Sequence, residues 1–138
     1  MTNLNFNFQT PCFIFDEAEF GRGVIGFKEA LTRRFEQVSI GYSVKTNSLP
    51  FLLIQAHKYG CKAEVVSHDE YCLARTCGFK ADEIIYNGPM KSHQTFIEAV
   101  TGGAIVNIET KRELEWLSEL SEEQVYDICL LYTSPSPR

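Results

Sequence analysis

From Val38 onward the chain repeats one phrase four times: a short apolar run, a polar or proline start signal, then an amphipathic stretch, closed in the first three by glycine. "VSIGYSV" (Val38 to Val44) is followed by Pro50 and "FLLIQAHKYG". "KAEVV" (Lys62 to Val66) is followed by Ser67, a helix over His68 to Cys77 and Gly78. "EIIYN" (Glu83 to Asn87) is followed by Ser92, a helix over His93 to Thr101 and Gly102. "AIVNI" (Ala104 to Ile108) is followed by a helix over Lys111 to Leu120. Upstream, "PCFIF" (Pro11 to Phe15) reads as a first strand, with Asp16 capping a helix over Glu17 to Glu36 that Gly21, Gly23 and Gly26 weaken. Strand starts recur roughly every 20 to 25 residues, the length of a βα unit with short loops.

Strands apolar nearly throughout, alternating with amphipathic helices, predict a parallel sheet covered on its faces. An open doubly wound sheet and a (β/α) barrel both satisfy that pattern. No GxGxxG follows the first strand, which weakens the dinucleotide-binding form of the open sheet. In a barrel the chemistry collects where strands end, and the residues at those ends are Lys45, Ser67, Asn87 and Glu109.

Composition removes several function classes. A net charge of −5, with no basic cluster longer than Arg33-Arg34, argues against nucleic acid and anionic membrane as partners. No apolar run is long enough to span a bilayer, and "MTNLNFNFQT" has neither the charged nor the apolar region of a signal peptide. The aromatic N-terminus (Phe6, Phe8, Phe13, Phe15) lacks interleaved basic residues and reads as packing rather than a base-stacking platform. Five cysteines (Cys12, Cys61, Cys72, Cys77, Cys129) without CxxC spacing predict reduced thiols in a cytoplasmic protein, with no metal site.

The last ten residues, "CLLYTSPSPR", break the pattern. The DNA string TGT CTC TTA TAC ACA TCT CCG AGC CCA CGA translates to this decapeptide, and it looks like the end of a transposase adapter used for sequencing libraries. We read 129–138 as an adapter artefact, not native, and 1–128 as the N-terminal part of a (β/α) barrel.

Lys45 stands out among the strand-end residues. Its stem leaves the apolar Tyr42-Ser43-Val44, it has no acidic neighbour within four residues, and "TNS" after it supplies turn residues. Burial disfavours the charged form of such an amine. A neutral amine can attack an aldehyde, and pyridoxal phosphate is the common aldehyde cofactor held in this way.

"YSVKTN" (Tyr42 to Asn47) resembles the cofactor-lysine motif of the fold-type III pyridoxal-phosphate decarboxylases, which include the diaminopimelate, ornithine and arginine decarboxylases. "TPCFIFD" (Thr10 to Asp16) is similar to the family's opening strand, and "GCKAEVVSHDEYCLARTCGF" (Gly60 to Phe79) to its G-x-x-A-D-V-V-S-x-x-E-L segment. "DEIIYNGPMKS" (Asp82 to Ser92) and "AIVNIET" with Glu113-Leu114 resemble two further segments in the same order. The resemblance implies the N-terminal half of an alanine-racemase-like (β/α)8 barrel, truncated, from a cytoplasmic homodimer that decarboxylates a small amino acid, most nearly diaminopimelate.

The resemblance makes Lys45 the lysine of the internal aldimine and a helper in proton transfer. It sets Glu64, where relatives often carry aspartate, beside that lysine as an orienting or charge-balancing group, with a plain strand carboxylate as the alternative. Ser67 reads as a helix cap; Glu70 reads equally as support for that helix start or as a site residue. Lys91 matches a family lysine, with a solvated loop lysine as the alternative. His68, where relatives often carry glycine, reads as solvated or capping. Tyr42 is expected to pack or hydrogen-bond inside the barrel, His57 and His93 to have no role, and Gly102-Gly103 to end a helix. The family's histidine on the ring, phosphate loop, acid at the pyridine nitrogen and β-rich domain with its cysteine are not found in this sequence. The 138-residue chain is therefore expected to have no useful decarboxylase activity by itself. A racemase or cofactor-carrier barrel, and a decarboxylase-like regulator without catalysis, are the competing readings.

Overall fold

The computed structural model describes residues 9, 11–121 and 123–130. Five parallel strands lie side by side in chain order, β1 to β5. The elements are α1 (Glu17–Thr32), β1 (Gly41–Ser43), α2 (Pro50–Lys58), β2 (Lys62–Ser67), α3 (His68–Thr76), β3 (Ile84–Met90), α4 (His93–Thr101), β4 (Ile105–Ile108), α5 (Lys111–Leu117) and β5 (Ile128–Leu130). This is the expected βα repeat, with its predicted caps. Asp16, Ser67, Ser92 and Thr110 each accept the backbone N–H three residues on, and Pro50 opens α2.

The two faces of the sheet differ. Ala63 and Val65 on β2, Ile84 and Tyr86 on β3, and Val106 and Ile108 on β4 point to one face, where α2, α3 and α4 cover them. Leu53, Tyr71, Ala74, Phe96, Ala99 and Val100 complete that core. Each large side chain buried there stabilises the fold by about 1.5–3 kcal/mol relative to exposure. Tyr71 stacks on Tyr86 with ring centroids 5.3 Å apart. The alternate residues Glu64, Ile85, Asn87, Ile105 and Asn107 line the other face and are only half-buried. A face of this kind, lined across consecutive parallel strands, is the inside of a (β/α) barrel, of which these strands form an arc.

Several boundaries move. Pro11–Phe15 is not a strand: no described strand pairs with it, and Phe13, Ile14 and Phe15 lie exposed. Phe15 instead sits edge-on to Phe51 of α2, centroids 5.3 Å apart, beside an apolar cavity of about 410 Å³. α1 ends at Thr32 rather than Glu36, with Arg33 as its cap; its three glycines do not break it. β1 shrinks to Gly41–Ser43, although Lys62 N–H to Ile40 O and Val44 N–H to Glu64 O continue the ladder on either side. β3 runs past Asn87 to Met90 because a bulge absorbs Gly88: Val65 faces Tyr86, but Ser67 faces Met90. Gly88 has φ +77°, and a Cβ there would stand 2.7 Å from the Val66 carbonyl oxygen, so only glycine fits without strain. α5 stops at Leu117. Of the residues set aside as adapter-encoded, Cys129 and Leu130 extend β5 on the exposed edge, and 131–138 lie outside the described residues.

Candidate functional site

Because all five strands run parallel, their C-terminal ends make one rim. Lys45 stands there just past β1, Ser67 at the end of β2 and Glu109 just past β4, as the sequence predicted, whereas Asn87 lies within β3, which runs on to Met90. Lys45 lies in the turn after β1, two residues beyond Ser43, whose register partner is Glu64. Ser43 therefore shares the inner face with Glu64, and Lys45 follows in the turn by which the chain leaves the strand at the rim. Lys45 is exposed, and among the described residues no acidic side chain pairs with it. The pocket expected around it is not formed by these residues.

Glu64 anchors a polar line across the inner face. Asn87 Nδ2 donates to Glu64 Oε1 at 2.6 Å, and Asn107 Nδ2 donates to Asn87 Oδ1. Each amide is thereby fixed in orientation, and the carboxylate holds its place on the face without a cation. Asn107 went unnoticed in the sequence. Its signal was a polar residue at the inner-face position of an otherwise apolar strand.

The rim between β3 and β4 is densely bonded. Lys91 and Glu113 form a fully buried ion pair with Nζ 3.2 Å from Oε1. The Lys91 ammonium also donates to the Gly88 carbonyl and lies 5.6 Å from the Tyr86 ring centre. The other Glu113 oxygen accepts the backbone N–H groups of Glu109 at 2.7 Å and Thr110 at 3.0 Å. Thr110 Oγ1 accepts the Glu113 N–H in return, so one carboxylate serves a capping box and an ion pair. Glu109 Oε1 accepts the Gly88 N–H at 2.5 Å. The solvated alternative for Lys91 is therefore wrong: a carboxylate, a carbonyl and a ring face satisfy its charge inside the protein.

The remaining candidates divide cleanly. Ser67 caps α3, as read. Glu70 accepts the Val66 N–H at 2.9 Å, which is the structural of its two readings. Tyr42 faces the helices rather than the barrel interior, because its register partner Ala63 is a core residue; it meets Phe20 and donates to the Asn47 carbonyl at 3.0 Å. His68 is half-buried and joins Ser92 and Cys72 rather than Lys45. His57 pairs with Glu83 at 3.1 Å and His93 with Glu119 at 2.8 Å. Gly102 ends α4 at the opposite end of the sheet, as expected.

Residues 21–133 match the family described as pyridoxal-dependent decarboxylase, pyridoxal binding domain. The chain belongs to this family. It is 29% identical, over 83% of its length, to a diaminopimelate decarboxylase of Archaeoglobus fulgidus, of which it spans 26%. It is 30% identical, over 90% of its length, to a decarboxylase of Niallia circulans that acts on L-glutamyl-BtrI acyl-carrier protein, of which it spans 28%. The diaminopimelate decarboxylase structure from Methanocaldococcus jannaschii superposes on 81% of the chain with a TM-score of 0.66 at 23% identity, which establishes the shared fold; the chain covers 27% of that structure. The chain thus spans about a quarter of the length of the relatives it matches. The residues present fit the aldehyde end of the family's cofactor: a primary amine without an acidic partner among the described residues stands at the rim, two residues beyond the register partner of an oriented carboxylate.

Proposed function

We propose that this chain is the N-terminal part of a pyridoxal-phosphate-dependent amino-acid decarboxylase that acts on diaminopimelate or a similar small amino acid. The observation that carries this reading is Lys45, exposed at the rim two residues beyond Ser43, the register partner of Glu64. Bound pyridoxal phosphate supplies an aldehyde for covalent attachment and a ring that accepts the electron pair released with carbon dioxide. Lys45 provides the attaching amine and, once free of the cofactor, a proton donor and acceptor at its Nζ. Glu64 balances the charge of that amine, and Asn87, held by Asn107, keeps the carboxylate from rotating away. The Lys91–Glu113 pair fixes the loops that frame the opposite side of the rim. The carrier-protein relative supports a second substrate reading, an aminoacyl group presented on a carrier.

The complete protein in this reading is a cytoplasmic homodimer. Among the described residues no helix is long and apolar enough to cross a membrane. Residues 129–138 are in this reading adapter-encoded, and sequencing unfragmented genomic DNA past the Ile128 codon tests that directly. For the site, the chain is incubated with pyridoxal phosphate, reduced with borohydride and mapped by mass spectrometry. The pyridoxyl group is expected on Lys45 and to be lost in Lys45→Ala. Labelling spread evenly over the surface lysines would overturn the assignment. In the complete protein, a product amine with release of carbon dioxide supports decarboxylation, and a racemised amino acid refutes it.

A further inference from the structure

The first turn of α3 gathers a second constellation. Cys72 is exposed, one helical turn beyond His68, and its Sγ lies 3.7 Å from His68 Nε2. The other ring nitrogen, Nδ1, lies 3.0 Å from Ser92 Oγ at the start of α4. Ser92 Oγ is 2.8 Å from Thr95 Oγ1, which is 3.0 Å from the hydroxyl of buried Tyr86. Burial pushes that hydroxyl up to about 12, so it stays protonated at neutral pH. A line of hydrogen bonds therefore runs from the core to the surface and holds the imidazole at one nitrogen while the other faces a thiol. Nucleophile, base and orienting group stand in the order that activates a thiol.

We propose that Cys72, His68 and Ser92 form a thiol-modification site whose substrates are small disulfides. The Cys72 S–H proton passes to His68 Nε2, and Sγ attacks one sulfur of the disulfide. The Cys72 S–S bond forms as the original S–S bond breaks, and the departing thiolate takes the proton back from Nε2. The disulfide is the only oxidant needed. While His68 carries the extra proton, Nδ1–H donates to Ser92 Oγ and the serine proton turns to Thr95 Oγ1, so every donor keeps an acceptor.

The other thiols lack this arrangement. Cys61 is buried and Cys77 half-buried, and burial pushes both thiols up. Cys12 and Cys129 are exposed, without a histidine in hydrogen-bond reach among the described residues. A metal does not account for the cluster, because no group of three His, Cys, Asp or Glu ligands occurs among the described residues.

The test is to react the chain with dithiobis(nitrobenzoate), quench at intervals and follow each cysteine by peptide mass mapping. Cys72 is expected to react about tenfold faster than Cys12 or Cys129, and faster than itself in guanidinium. His68→Gln is expected to bring Cys72 down to the rate of Cys12, with Cys61 still protected as proof of folding. Ser92→Ala is expected to slow Cys72 by a smaller factor. If wild-type Cys72 reacts no faster than Cys12, or if His68→Gln leaves its rate unchanged, the proposal fails.

Discussion

The two sides of the rim are built on opposite plans. Between β3 and β4, a fully buried ion pair, a capping box and a glycine bulge bond the loops to one another. At β1, Lys45 sits exposed in a turn secured by main-chain bonds from Val44 N–H to Glu64 O and Thr46 N–H to Ser43 O. The contrast teaches a division of labour. Charges that hold the frame are neutralised inside the protein, whereas the amine assigned to chemistry is left without an internal acidic partner. A lysine already committed to a carboxylate and a carbonyl, as Lys91 is, has no lone pair to offer an aldehyde.

Substitutions on the two sides put that contrast to the test. Lys91→Ala leaves the Glu113 carboxylate buried without its cation and should cost about 3–5 kcal/mol, enough to abolish cooperative urea unfolding of a marginal domain. The paired change Lys91→Met with Glu113→Leu should recover part of that loss; no recovery would mean the backbone bonds of Glu113 matter more than the ion pair. Gly88→Ala should cost about 1–3 kcal/mol, through positive φ and the clash with the Val66 carbonyl. Thr110→Ala should cost about 1 kcal/mol by removing the α5 cap, read as a lower thermal midpoint by circular dichroism. Lys45→Ala should change stability by no more than about 0.5 kcal/mol, while eliminating the borohydride-trapped cofactor adduct. A large loss of stability in Lys45→Ala would break the comparison, because the lysine would then belong to the frame.

Sequence reading recovered the repeat, the caps and the rim because each rests on local rules. Ser67, Ser92 and Thr110 signal helix starts whatever surrounds them, and alternation along apolar strands fixes which residues share a face. What it missed depends on partners distant in the chain. Lys91 meets Glu113, 22 residues on, and nothing beside it in sequence marks it as buried. Pro11–Phe15 has the composition of a strand, but a strand also needs a neighbour, and none of the described strands offers one. Tyr42 was misread because its face is set by its register with the core residue Ala63, a partner 21 positions on in the chain. The bulge at Gly88 carries β3 past Asn87, where the strand read from the sequence ends.

The order of the strands also governs how such a chain is made. Each strand lies beside the one synthesised just before it, so no unit waits for a distant partner to form its sheet edge. At about 5–20 residues per second, a ribosome releases one βα unit every few seconds. Helix formation and local collapse take only microseconds. A newly exposed edge can therefore serve as the template for the next strand throughout translation, and the arc can grow in one direction from its first hairpin-free pairing, β1 with β2.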